Sequence, residues 1–329
     1  MGIIEQVREL YALGGCEFCA APGHEGGRNR VFIVRKDGEK RFALRISSLE
    51  DRTEEEYLAE TEFVHYLASN GAPVADVIPS VRGRLVECVE EGGQKHYASL
   101  FAYAKGIMLW EKGYRYREGA LLEEYFYNAG KALGAIHRVS KTYRAVHRRR
   151  DYFEKYNMET IGRLIPDAYR DLKDAIARRL EAFRSLPADR KDYGLVHFDF
   201  SDINFHIDMD TGKITAFDFD NCMYCWYMYD LANLWVCGTG WCRGERDPEK
   251  RMEYMHHYFN TVLEGYRSEA EVSEELLAKL PLFIDMVLIE NVADAFECSA
   301  RDGEEPDRED FGDAEECLVH DIPYASVGR

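Results

Sequence analysis

The chain has 329 residues, 46% of them hydrophobic and 31% charged, and its 60 acidic against 42 basic residues give a formal net charge of −18. That composition excludes a disordered polymer, and the charge opposes nucleic acid or an anionic membrane surface as a partner. No apolar run approaches the roughly 18 residues that cross a bilayer, and the first residues lack the unbroken apolar core of a signal peptide, so a cytoplasmic location is expected.

In chain order, MGIIEQVREL spaces its apolar residues as a helix does. From Arg30 to Ile46 the text RVFIVRKDGEKRFALRI reads as two strands about Asp37 and Gly38, a short-range hairpin signal. A helix is expected over about 51–69, with Leu58, Phe63 and Leu67 among its apolar positions. Two more strands, RLVECVE and HYASLFAYA, flank Glu91, Gly92 and Gly93. The first hundred residues thus read as a small sheet carrying one main helix.

After Gly106 amphipathic stretches dominate, at about 118–141, 167–185, 247–266 and 274–298, and only 194–218 interrupts them with strand character. This predicts an α+β fold in two domains, 1–103 and a mostly helical 104–329 with an embedded hairpin. The charged tract at Asp307, Arg308, Glu309 and Asp310 reads as a solvated loop or tail. The nine cysteines suit free thiols in a reducing compartment. Two pairs, Cys16 with Cys19 and Cys222 with Cys225, have C-x-x-C spacing, but a shared zinc site would need segments about two hundred residues apart to meet.

The densest chemistry lies in GLVHFDFSDINFHIDMDTGKITAFDFDN, residues 194–221. If ITAFDFD returns antiparallel on INFHIDM in a regular pairing centred on Thr211, Asn204 stands opposite Asp218, two oxygen donors about 5 Å apart on one face. Asp199 lies five residues before Asn204, in a loop able to curl over the same end. Two carboxylates and an amide oxygen form a hard-oxygen site of the kind Mg²⁺ accepts, with room for phosphates. Without a cation, two carboxylates ~4 Å apart repel by about 4 kcal/mol at an effective dielectric near 20.

His197-Phe-Asp199-Phe-Ser-Asp-Ile-Asn204 resembles the H-x-D-x-x-x-x-N catalytic loop of the aminoglycoside phosphotransferase and choline kinase family, itself similar to that of protein kinases. Asp218, in Phe217-Asp218-Phe219-Asp220, falls where that family has its metal-binding aspartate. Gly134-Ala-Ile-His137 and Tyr229-Asp230-Leu231-Ala232 resemble two further landmarks, in the same order. In the family's version of the second, the aspartate ties down the catalytic loop, a role the resemblance implies for Asp230.

The resemblance implies a bilobal protein-kinase-like fold, with a small N-terminal lobe of antiparallel sheet and one main helix, a larger helical C-terminal lobe, and phosphoryl transfer from Mg-ATP, or GTP, to a hydroxyl of a small molecule. Asp199 would accept the hydroxyl proton, His197 would brace the loop, and Asn204 and Asp218 would hold the metal. Arg45 stands at the family's phosphate-contacting basic position and Glu60 at that of the helix glutamate that orients it. Gly26 and Gly27 sit in a glycine-rich loop that is not G-x-G-x-x-G, and the adenine would dock near Phe101, Ala102 and Tyr103. There is no G-x-x-x-x-G-K-[ST], which excludes a P-loop ATPase. Glu290, Asp294 and Glu297, at i, i+4 and i+7, are candidates for an acidic wall toward a cationic acceptor, with Trp226 among neighbouring aromatics. A protein serine/threonine kinase and an idle nucleotide-binding regulator are the alternatives.

Overall fold

The hairpin about Asp37 and Gly38 is present in the computed structural model, which describes residues 2–21, 29–48 and 52–327. Chain order begins α1 (Ile3–Leu10), β1 (Glu17–Ala20), β2 (Asn29–Lys36), β3 (Glu39–Ser48), α2 (Glu54–Ser69), β4 (Val77–Ile78), β5 (Glu87–Glu91) and β6 (Gln94–Ala102). Asp37 and Gly38 have φ of 54° and 83°, the two positive values that a tight two-residue turn needs to match strand twist. It sets Lys36 opposite Glu39, and Arg45 opposite Val31. The antiparallel sheet runs β1-β2-β3-β6-β4, with β5 also on β6.

One face of this sheet is closed by α1, whose Ile3, Val7 and Leu10 recur at i, i+4 and i+7 and pack with Val34, Leu44, Ile46 and Leu100. Burying each such side chain contributes about 1.5–3 kcal/mol. Side chains alternate across a strand, so Leu44 and Ile46 take this face and Arg45 takes the other. The helix expected from about 51 starts at Glu54, because Thr53 caps it: the Thr53 hydroxyl accepts the Glu56 N–H and the Glu56 carboxylate accepts the Thr53 N–H.

The chain continues with α3 (Leu122–Ser140), α4 (Tyr152–Lys155), α5 (Met158–Leu164), α6 (Arg170–Arg184), β7 (Tyr193–Val196), β8 (Phe205–Ile207), β9 (Ile214–Ala216), β10 (Met223–Trp226), α7 (Tyr227–Gly238), α8 (Pro248–Arg267), α9 (Glu274–Leu277), α10 (Leu280–Asp302), α11 (Arg308–His320) and α12 (Tyr324–Val327). Packing gathers these elements into two units. The first holds Met1–Arg117, Thr142–Arg149 and Asp202–Asp220; the second holds Glu118–Lys141, Arg150–Ser201 and Asn221–Arg329. The expected 1–103 domain lies wholly within the first unit, which also takes in the β8–β9 hairpin.

That hairpin docks through backbone pairs, Ile207 with Ile107 and Ala216 with Pro73 and Ala75. Gly106 has φ of 108°, and a Cβ there would stand 2.2 Å from the Ile207 carbonyl oxygen, so only glycine lets the two segments approach. In the second unit α3 and α8 meet at backbone contact: a Cβ on Gly130 would stand 1.9 Å from the Val262 oxygen, and one on Gly134 2.5 Å from the Tyr266 oxygen.

Three expectations are corrected. The stretch expected as one helix over 274–298 is two, because Pro281 cannot continue α9 and instead sits in the first turn of α10. The tract at 307–310 is not a tail: Asp307 caps α11, whose Phe311, Ala314, Cys317 and Leu318 are buried. Charge in the first turn conceals that apolar stripe. The second unit also has β10, paired with β7, a strand that Met223-Tyr-Cys-Trp226 did not announce. All nine cysteines are free, and the two C-x-x-C pairs fall in different units. Among the described residues no helix is long and apolar enough to cross a membrane.

Candidate active site

In the first unit the site is built around Arg45. Its two terminal nitrogens donate to both Glu60 carboxylate oxygens at 2.8 and 2.7 Å, and both side chains are buried. Burial works against the guanidinium charge, but Glu60, reinforced by Asp220 and Asp218, more than restores it and holds Arg45 charged. Asp218 stands 3.9 Å from Arg45 and is the open member of the set, with 42% of its side chain exposed. The pleat that turns Arg45 away from α1 and the helical position of Glu60 on α2 together bring the pair into contact.

The β8–β9 register differs from expectation by one residue. Phe205 pairs with Ala216 and Ile207 with Ile214, and the Phe217 N–H donates to the Asn204 carbonyl at 2.9 Å, so Asn204 stands opposite Phe217 rather than Asp218. The loop is the reason: Asp208 accepts the Asp210 N–H on its side chain and the Gly212 N–H on its carbonyl, which closes an even-numbered turn about 210 and 211 instead of an odd one about Thr211. A one-residue shift would send Asp218 to the wrong face of a regular strand. The chain leaves the strand instead, and Asp218 takes φ of 62°, left-handed and unusual for a residue other than glycine. Asn204 itself is buried.

Ala102 and Tyr103 spend their N–H groups on the Asp76 and Arg41 carbonyls. What this strand end offers a base is therefore side-chain surface and the segment that follows, where the Ala104 carbonyl already accepts from His206. Gly26 and Gly27 lie outside the described residues. Asp208 is buried and bound by Lys105 at 2.7 Å, which holds its carboxyl below the usual range.

The second unit presents Asp199, partly buried, at the end of a tightly held segment. The Asp230 carboxylate accepts the His197 N–H, the Phe198 N–H and His137 Nε2, each at 2.9 Å. His137 is buried, and that burial lowers its basicity despite Asp230 beside it, so the ring is neutral. Since a carboxylate only accepts, Nε2 carries the proton, and the Tyr266 hydroxyl donates to the bare Nδ1 at 3.0 Å. His197 is buried too, and its Nδ1 accepts the Asp199 N–H at 3.3 Å. Phe198 has φ of 71° and is held by a parallel stack on Tyr229, ring centres 4.1 Å apart, with Tyr156 stacked at 6.1 Å. Tyr156 was absent from the sequence reading, Tyr229 entered it only as the first residue of a landmark, and no spacing rule marks the stack they make with Phe198.

Glu290 on α10 accepts from the Tyr229 hydroxyl at 3.4 Å. Burial, then the charge of Asp294, raise its carboxyl well above the ordinary range, with Lys155 opposing and Asp199 adding to the rise. Lys155 lies 3.6 Å from Asp294. Glu297 is exposed one turn further along. Trp226 is corrected: it is buried, donates its indole N–H to the Pro187 carbonyl at 2.6 Å and packs on Tyr193 and Phe153, so it presents no face to a cation.

A family model described as the phosphotransferase enzyme family (APH) matches residues 20–272. Amicoumacin kinase of Bacillus subtilis (strain 168) is 28% identical over 262 residues, covering 78% of this chain and 74% of that one. A structure of amicoumacin kinase hAmiN in complex with AMP-PNP, Ca²⁺ and Ami superposes with a TM-score of 0.81 at 22% identity, covering 98% of this chain and 93% of that chain. A microcompartment-associated aminopropanol kinase superposes at 0.70 with 18% identity and the same coverages. The fold is thus the one they share, protein-kinase-like and mixed α and β.

Proposed function

Because the chain belongs to the phosphotransferase enzyme family, we propose that it moves the γ-phosphoryl group of ATP, or of GTP, to a hydroxyl of a small amine-bearing molecule. The observation that carries this reading is the buried Arg45–Glu60 pair with the open Asp218 carboxylate 3.9 Å away. A cation fixed beside an exposed carboxylate suits a triphosphate and its metal, and few other ligands need both signs at once.

In this reading Arg45, oriented by Glu60, contacts phosphate oxygens. Asn204 and Asp218 supply oxygen donors of the kind Mg²⁺ takes, one carboxylate and one amide carbonyl, leaving positions for phosphate and water. A bound Mg²⁺ would neutralise charge on the phosphate oxygens. Asp199 accepts the acceptor's hydroxyl proton on a carboxylate oxygen. Asp230 and His197 keep that carboxylate in place, and proximity supplies most of the rate.

Glu290 and Asp294, with Glu297 nearby, attract the acceptor's amine. The high Glu290 proton affinity supports this, since a carboxyl whose charge is opposed first by burial and then by Asp294 has that charge restored when a cation arrives. Among the structural neighbours, the aminopropanol kinase is named for an amino alcohol.

The test is an ATP- and GTP-consumption screen across amicoumacin, aminopropanol, choline, aminoglycosides and homoserine, repeated with Asp199→Asn. A hit on one acceptor, lost in the variant while nucleotide still stabilises it thermally, is the expected result. Wild-type turnover by Asp199→Asn would refute the assignment of the base. Nucleotide stabilisation without turnover on any acceptor would indicate a regulatory protein instead.

A further inference from the structure

Asp220 follows Asp218 by two residues, and the structure gives it a dense set of partners, all in the first unit. Its backbone carbonyl accepts from Arg149 and from Arg52. Its carboxylate lies 3.6 Å from Arg52 and accepts the Asn29 side-chain amide at 3.2 Å. Asn29 in turn accepts the Ser47 hydroxyl at 2.6 Å, on β3 two residues past Arg45. Arg149 has a second attachment: its other terminal nitrogen donates to the Glu56 carbonyl in the first turn of α2, at 3.1 Å. Arg149 and Asp220 are both buried.

The connections close a circuit. From α2, Glu56 leads through Arg149 to the Asp220 carbonyl; the Asp220 carboxylate leads through Asn29 and Ser47 to β3; Arg45 on β3 returns to α2 through Glu60. Asp218 is carried on this ring between Phe217, pinned to Asn204, and Asp220, pinned by two arginines. A left-handed backbone at a residue other than glycine is strained and persists only where the surroundings over-determine it. The two guanidinium groups on the Asp220 carbonyl supply that constraint two residues past Asp218, whose φ is 62°.

We infer that Arg149 is a positioning residue, which by tying the first turn of α2 to the Asp220 carbonyl fixes the backbone that aims Asp218 and so sets the affinity for divalent cation without contacting it. The inference rests on the reading of Asp218 as a metal ligand. Geometry, not charge, is the active property: a guanidinium fork spans two carbonyls in different segments, and a lysine ammonium at the same position has no such planar reach.

The experiment is calorimetric titration of AMP-PNP into the full chain over a series of Mg²⁺ concentrations and again in EDTA, for wild type, Arg149→Gln, Arg149→Lys and Arg52→Gln. Loss of a group that orients a ligand costs 10–100-fold in metal affinity, so the half-saturating Mg²⁺ should rise at least about tenfold in both Arg149 variants. Arg52→Gln should move it in the same direction, and metal-free AMP-PNP affinity should stay within about twofold, which general loosening of the unit would not spare. A Mg²⁺ dependence unchanged in Arg149→Gln, an Arg149→Lys protein that behaves as wild type, or equal losses with and without Mg²⁺ would each overturn the proposal. Should Arg149→Gln fail to fold, Arg149→Lys and Arg52→Gln decide by the same criteria. If wild-type binding itself shows no Mg²⁺ dependence, the reading of Asp218 falls and this one with it; if only the variants match wild type, this one falls alone.

Discussion

Replacing Asp230 by asparagine changes one atom at a fully buried position, and its cost follows from counting donors. The carboxylate accepts three: His197 N–H and His137 Nε2 on Oδ2, Phe198 N–H on Oδ1, each at 2.9 Å. With the amide oxygen at Oδ2, the NH₂ faces the Phe198 N–H. With the oxygen at Oδ1, His137 can shift its proton to Nδ1 and accept, but the NH₂ then faces the His197 N–H. Either way one buried backbone donor is orphaned, at roughly 1–3 kcal/mol, and the surviving bonds lose their charge assistance at about 1 kcal/mol each. The sum is about 3–5 kcal/mol, which at roughly 2–4 °C per kcal/mol for a unit of this size lowers Tm by about 6–20 °C. Because the orphaned donor belongs to the two residues preceding Asp199, turnover should fall about a hundredfold on top, read at a temperature where the variant is folded. Urea denaturation and steady-state kinetics check both. An Asp230→Asn protein within about 2 °C of wild type would refute the donor count.

Two further outcomes are expected. Glu60→Gln removes the main compensation of the buried Arg45 charge and turns an NH₂ toward its fork, so chemical denaturation should show a loss of about 3 kcal/mol, with weakened nucleotide binding by calorimetry. For Glu290 the sign runs against the ordinary acidic case. Its carboxyl binds protons more tightly folded than unfolded, so its contribution to stability is present at low pH and is lost as pH rises from the unfolded carboxylate value toward the raised folded one. Glu290→Gln removes that loss, and thermal melts should find it gaining on wild type between pH 5 and pH 8 while its affinity for an amine-bearing acceptor falls. A Tm difference that stays flat across that range would contradict the burial of the charge.

The candidate site residues were legible in the sequence where a motif constrains their spacing. His197, Asp199 and Asn204 sit in one continuous loop whose order survives any packing, and the Asp37-Gly38 turn and the Arg45 strand position follow from local backbone rules. The Asn204–Asp218 pairing failed by one residue because the register depends on how Asp208 closes its loop, a hydrogen-bond choice that residue spacing does not encode.

Trp226 failed for a different reason: an aromatic run reads alike in a core and on a surface, and only the packing of Tyr193, Phe153 and the Pro187 carbonyl around it decides which. Asp220 and Arg149 were invisible for the same cause, since 71 residues separate them and nothing local says that they meet. The family's loop pattern was readable from residues 197–204 alone, because its groups stand at separations set along one stretch of chain. Tertiary structure alone decided what holds that loop and the Asp218 backbone in place, because those constraints are hydrogen bonds between segments remote in sequence, made only when the chain has folded.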